Sequence, residues 1–66
     1  MKRIITLSLE DLTDAKDKVK KALKKLEYED EIILISKVDV SYLFRGYTVE
    51  KERNEEGLWI IRVKKN

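Results

Sequence analysis

The sequence predicts an α/β fold: a two-layer α/β (α+β) sandwich of order β-α-β-(short α)-β-β, with a four-stranded mixed sheet and helices packed on one face. Three observations predict it. A lysine-rich stretch with helical spacing separates two isoleucine-rich runs. The second of those runs, Glu31-Ile32-Ile33-Leu34-Ile35, is continuously apolar after its first residue. The C-terminal part alternates apolar and polar residues on either side of a glycine-containing turn. With 66 residues the chain makes one domain, 1–66, near the lower limit for folding without staples, where only about 60% of the unfolded surface is buried.

Lys2 to Leu7 is short and β-branched, and reads as the first strand. The apolar residues Leu9, Leu12, Ala15, Val19, Ala22, Leu23 and Leu26 then share one helical face. Ser8 is the expected N-cap, with Asp11 three residues on and Thr13 as a later alternative. Acidic Glu10, Asp11, Asp14 and Asp17 fill the first half of this helix, and Lys18, Lys20, Lys21, Lys24 and Lys25 the second. That order suits the helix macrodipole, and Asp14–Lys18 and Asp17–Lys21 are spaced for i,i+4 pairs. The lysine cluster is therefore accounted for as a solvated helix face, and the acidic cluster as helix-start chemistry. Without the glycine loop and ligand spacing of a calcium site it makes no metal centre.

After the acidic turn Glu27-Tyr28-Glu29-Asp30, the run through Ile35 reads as a central strand covered on both faces. Val40, Leu43 and Phe44 have i, i+3, i+4 spacing, Asp39 is placed to cap, and Gly46 to end the segment in the left-handed region. A short helix of about two turns is expected there, with a strand through Val38, Val40 and Tyr42 as the rival. Tyr47 to Arg53 alternates as a strand with one wet face. Asn54-Glu55-Glu56-Gly57 makes the hairpin turn, with Gly57 placed for positive φ. Leu58 to Lys65 is the last strand, with Trp59, Ile61 and Val63 on one face and Leu58, Ile60, Arg62 and Lys64 on the other.

Composition narrows the chemistry. The chain has no cysteine and no histidine, so it lacks a thiol nucleophile, the commonest general base and the commonest transition-metal ligand. No catalytic residue, cofactor, metal or small-molecule substrate is expected. The longest apolar run, Ile32 to Ile35, is far short of the roughly 20 residues of a membrane span. The N-terminal isoleucines are interrupted by Thr6, Ser8 and Glu10 before a signal-peptide core forms. A cytoplasmic protein is expected. Charged residues make up 42% of the chain, yet the net charge is only +2, too little to argue for nucleic acid. Abundant Lys and Glu suit a heat-adapted organism and equally a computationally designed protein.

The runs KKALKKLEYEDEIILIS and FRGYTVEKERNEEGLWIIRVKK resemble the TusA/SirA-like family of small sulfur-carrier proteins across nearly the whole chain. The resemblance implies the β-α-β-α-β-β sandwich. It also implies a Cys-Pro-x-Pro motif at the start of the first helix, where a helix N-terminus lowers a thiol's pKa. Leu12-Thr13-Asp14-Ala15 stand in that place, and the segment from Ile35 to Gly46 is shorter than the family's second helix and loop. Leucine cannot carry a persulfide, so the resemblance implies the fold without the sulfur chemistry.

What remains is surface. In a two-layer fold the outer sheet face should be wet, yet Ile4, Ile33, Ile35 and Ile60 fall on it, rimmed by Lys2, Arg62 and Lys64. Such a patch marks a protein contact, with a partner protein or with a second copy as a homodimer. The aromatic group Tyr42, Phe44 and Tyr47 around Arg45 reads as core and margin rather than as a base-stacking platform. The leading expectation is a non-catalytic interaction module. The alternatives are an idealised designed protein without biological function, and a small RNA-binding domain using Lys2, Arg3, Arg45, Arg62, Lys64 and Lys65.

Overall fold

In the computed structural model, which describes residues 3–9 and 13–65, the chain runs β1 (Ile4–Leu9), α1 (Ala15–Lys25), β2 (Glu31–Ser36), a 3-10 turn (Ser41–Phe44), β3 (Thr48–Arg53) and β4 (Trp59–Lys64). The strands form one mixed sheet of order β1-β2-β4-β3. β1 and β2 are parallel, joined across α1, while β4 is antiparallel to both β2 and β3. This is the two-layer arrangement expected from alternating strand and helix signals.

The core lies between one face of the sheet and the layer made by α1 and the 3-10 turn. Ile32, Leu34, Ile61 and Val63 are fully buried on the sheet side, and Ala15, Val19, Ala22 and Leu26 meet them from the helix side. Val40 and Phe44 close the same core beyond the helix. Each large side chain buried here contributes about 1.5–3 kcal/mol, set against the ordering entropy of a short chain.

Four expectations are corrected. Ser8 does not cap the helix: it lies inside β1, paired with Ile35, and α1 starts at Ala15 after an Asp14 that makes no side-chain capping bond. The parallel ladder carries β1 on to Leu9, which is buried, and that burial outweighs a local capping preference. β2 is central but not covered on both faces, since Ile33 and Ile35 stay half-buried while Ile32 and Leu34 are enclosed. The two-turn helix is a single 3-10 turn. An Asp39 Oδ1 that accepts the Ser41 N–H at 3.0 Å and a left-handed Gly46 at φ +85° leave room for no more. The Asp14–Lys18 and Asp17–Lys21 pairs are not among the ion pairs of the described residues, which are Arg3–Asp30, Lys51–Asp39 and Arg62–Glu31. The Glu10, Asp11 and Leu12 readings lie outside the described residues.

A clip ties the helix end to the sheet. The Asp30 carboxylate is 1% exposed and accepts from the Arg3 guanidinium at 2.8 Å, the Arg3 backbone N–H at 3.1 Å and the Glu27 N–H at 3.0 Å. The same guanidinium donates to the Lys25 carbonyl at 2.9 Å, satisfying an orphan acceptor of the last helical turn. The turn that presents Asp30 holds Glu29 at φ +81°, a conformation costly to an L-residue with a side chain.

Candidate functional site

Cross-strand partners share a face, so the ladder registers fix what lies on the side of the sheet away from α1. Its first row runs Ile4, Glu31, Lys64, Thr48; the second Thr6, Ile33, Arg62, Glu50; the third Ser8, Ile35, Ile60, Glu52. Ile35 and Ile60 are direct partners, and Ile33 lies two residues along β2 from Ile35. These three half-buried isoleucines make one contiguous apolar strip, which no described element covers. Ile4 stands at the margin beside Glu31 and is 58% exposed. The structure thus brings Ile33, Ile35 and Ile60 together, sets Arg62 between Ile33 and Glu50, and leaves Ile4 at the edge.

The charges around the strip are of both signs. Arg62 reaches toward Glu31 at 4.0 Å, while Glu50 and Glu52 line the outer strand and Lys64 the opposite corner. A shallow hollow of about 100 Å³ beside Ile60, Arg62, Glu50 and Glu52 is smaller than the few hundred Å³ of a ligand pocket. The face offers area rather than depth.

The basic residues proposed for nucleic acid are dispersed. Lys2 lies outside the described residues. Arg3 is engaged by Asp30, whose carboxyl is held below its ordinary range chiefly by that hydrogen bond and next by the Glu27 N–H, against the cost of burial. Arg45 is exposed directly after the 3-10 turn. Lys64 and Lys65 border a hollow of about 330 Å³ shared with Tyr28, Glu29 and Asp30, so carboxylates occupy the same space. Phe44 is buried, Tyr47 packs on the core, and Tyr42 is 63% exposed.

One arrangement was not visible in the sequence. On the helix-bearing face of β3, Lys51 Nζ meets Asp39 at 2.6 Å and Ser41 Oγ at 3.3 Å, and also lies 5.8 Å from the Trp59 ring centroid. Arg53, the direct partner of Trp59, stands at the same distance. Lys51, with the Ser41 N–H and hydroxyl, lowers the Asp39 carboxyl to about 2. Register alone brings Trp59 and Arg53 together, so the alternation of the C-terminal hairpin was the signal that could have found that pair. The reach of Lys51 to Asp39 crosses a loop and left no local trace.

Among the described residues no three acidic side chains converge on a metal-sized space, and no helix is long and apolar enough to cross a membrane. Comparison with protein-family models, with curated proteins and with solved structures finds no match for this chain.

Proposed function

We propose that the chain is a non-catalytic α/β interaction module, of the TusA/SirA-like kind without the carrier cysteine, that works by protein contact through the outer face of its sheet, first of all with a second copy of itself. The observation that carries this reading is the contiguous strip Ile33, Ile35 and Ile60 on a face that no described element covers. Charge favours a second copy as the occupant. Glu31, Glu50 and Glu52 stand against Arg62 and Lys64 on the same face, so apposition about a two-fold axis does not gather one sign. A partner of strong single-sign charge gains no such match.

Four strands of six residues span roughly 19 Å by 20 Å at ordinary spacings, about 400 Å² a side. That lies in the small-interface class, below about 1,200 Å² in total, and implies a concentration-dependent dimer. Sedimentation equilibrium up to about 1 mM tests it, since that range covers a free energy down to about −4 kcal/mol. The expected result is a dimer fraction that rises with concentration and disappears in Ile35→Glu, with an unchanged circular dichroism spectrum. A chain that stays monomeric across the range would defeat the proposal.

A further inference from the structure

The two edges of the sheet are built differently. β3, at one edge, carries Glu50, Lys51, Glu52 and Arg53 in succession, the charge-laden form that discourages pairing with foreign strands. β1, at the other, reads IITLSL, with no proline, no charge and an unbroken six-residue register to β2. Among the described residues nothing pairs with its second side. The Glu31 N–H donates to the Arg3 carbonyl at 3.0 Å. Alternation along a parallel ladder then turns the N–H and C=O groups of Ile4, Thr6 and Ser8 outward, unpaired. This is an open template for a further strand.

Beside that edge lies a groove of about 420 Å³ between β1 and α1. Half-buried Ile5 and Leu7 and the helix residue Ala22 give it an apolar floor, and Lys18, Lys21 and Lys25 form its rim. None of the three lysines is in an ion pair among the described residues. From Lys18 to Lys25 the rim runs roughly 10 Å along the helix, at about 1.5 Å per residue. Alternate side chains of an added strand recur every 6.6–6.8 Å or so, so two of them fall within reach of the rim.

We propose that β1 accepts an extended acidic segment of a partner protein by strand addition, its backbone pairing with Ile4, Thr6 and Ser8 and its carboxylates lying under Lys18, Lys21 and Lys25. Affinity of this kind comes from main-chain hydrogen bonds, and selectivity from the alternate side chains. The lysine rim also decides against a second copy at this edge. Antiparallel β1–β1 pairing about a two-fold axis would set both α1 helices side by side above one continuous sheet, with both lysine rims facing each other. The site is separate from the outer sheet face and stays open if two copies stack there.

The test uses the full chain and two synthetic peptides, acetyl-(Glu-Val)3-amide and acetyl-(Lys-Val)3-amide, titrated to millimolar concentration while backbone amide resonances are followed. The expected result is that the acidic peptide alone shifts Ile4, Thr6, Ser8 and the rim lysines, and that added salt suppresses the response by screening. Thr6→Pro removes an outward donor that the β1–β2 ladder does not use, and is expected to abolish binding with the sheet intact. The double variant Lys18→Glu, Lys21→Glu is expected to lose about tenfold for the acidic peptide and gain for the basic one. A loss of folding cannot produce such a reversal. Equal response to both peptides, shifts centred on Ile33, Ile35 and Ile60 instead, or an unmoved preference in the double variant would each overturn the proposal.

Discussion

Replacing Phe44 by alanine tests how this small core is held together. Phe44 is 1% exposed and sits in the 3-10 turn, where it packs in one cluster with Val40, Ile61 and Val63. Truncating a buried phenylalanine costs about 3–5 kcal/mol, part from lost transfer and part from the cavity left behind. At about 0.05–0.15 kcal/mol per residue, a chain of 66 residues has roughly 3–10 kcal/mol of stability in all. Phe44→Ala is therefore expected to remove about three-tenths of the stability at the least, and in the lower range to leave the chain unfolded. Since 1 kcal/mol moves the midpoint of so small a domain by about 4–8 °C, thermal unfolding should fall by more than 12 °C. The matched control is Tyr42→Ala, two residues away and 63% exposed, which should stay within about 0.5 kcal/mol. Urea unfolding followed by Trp59 fluorescence reads both variants. If Phe44→Ala cost less than about 1 kcal/mol at an unchanged m-value, the 3-10 turn would not belong to the core, and the reasoning would fail.

Two further outcomes are expected. Glu29 holds φ +81°, where a side chain costs about 1–2 kcal/mol and glycine's extra entropy about 0.5–1. Glu29→Gly is therefore expected to stabilise by about 0.5–1 kcal/mol, and a lower urea midpoint would contradict the left-handed assignment. Asp30 and Asp39 have lowered folded-state values, Asp39 about 2 against an ordinary 3.8. Below pH 4 or so the unfolded chain binds more protons than the folded one, so stability present above that pH is lost as pH falls toward about 2. Urea midpoints measured between pH 6 and pH 2 should fall along this limb, and Asp39→Asn should flatten it; an unchanged midpoint down to pH 2 would contradict the Lys51 and Arg3 contacts.

Periodicity made most of the fold legible. The alternation of Trp59, Ile61 and Val63 against Ile60, Arg62 and Lys64 is the observed division of β4 between its two faces. Gly46 and Gly57 both adopt the positive φ that their turns require. The start of α1 was misplaced because capping rules are local, whereas the end of β1 is decided by a strand more than twenty residues away. For the same reason the Arg3–Asp30 clip was hidden. Arg3 reads as one basic residue among 15 and Asp30 as one acid in an acidic turn, until folding buries the carboxylate and leaves the guanidinium as its partner.

The two proposed surfaces differ in legibility on the same grounds. The isoleucine strip was readable because its members belong to strands whose faces follow from period two, and only their adjacency required the registers. The β1 edge was not, because a strand's position in its sheet is a property of topology that no local pattern encodes. Once β1 is known to be an edge, its sequence changes meaning. IITLSL in a central strand is ordinary packing, but at an edge the lack of charge or proline is an unguarded template, and the charged β3 shows that this chain does guard its other side. The lysines of α1 change meaning too. Three of them, first accounted for as a dipole-matched solvated face, rim a groove beside unpaired backbone donors and acceptors. A strand joining there gains hydrogen bonds that water otherwise supplies. Main-chain pairing along β1 supplies the affinity, and the rim's charge decides which strand is accepted, so Thr6→Pro tests the pairing while inverting Lys18 and Lys21 tests the choice of partner.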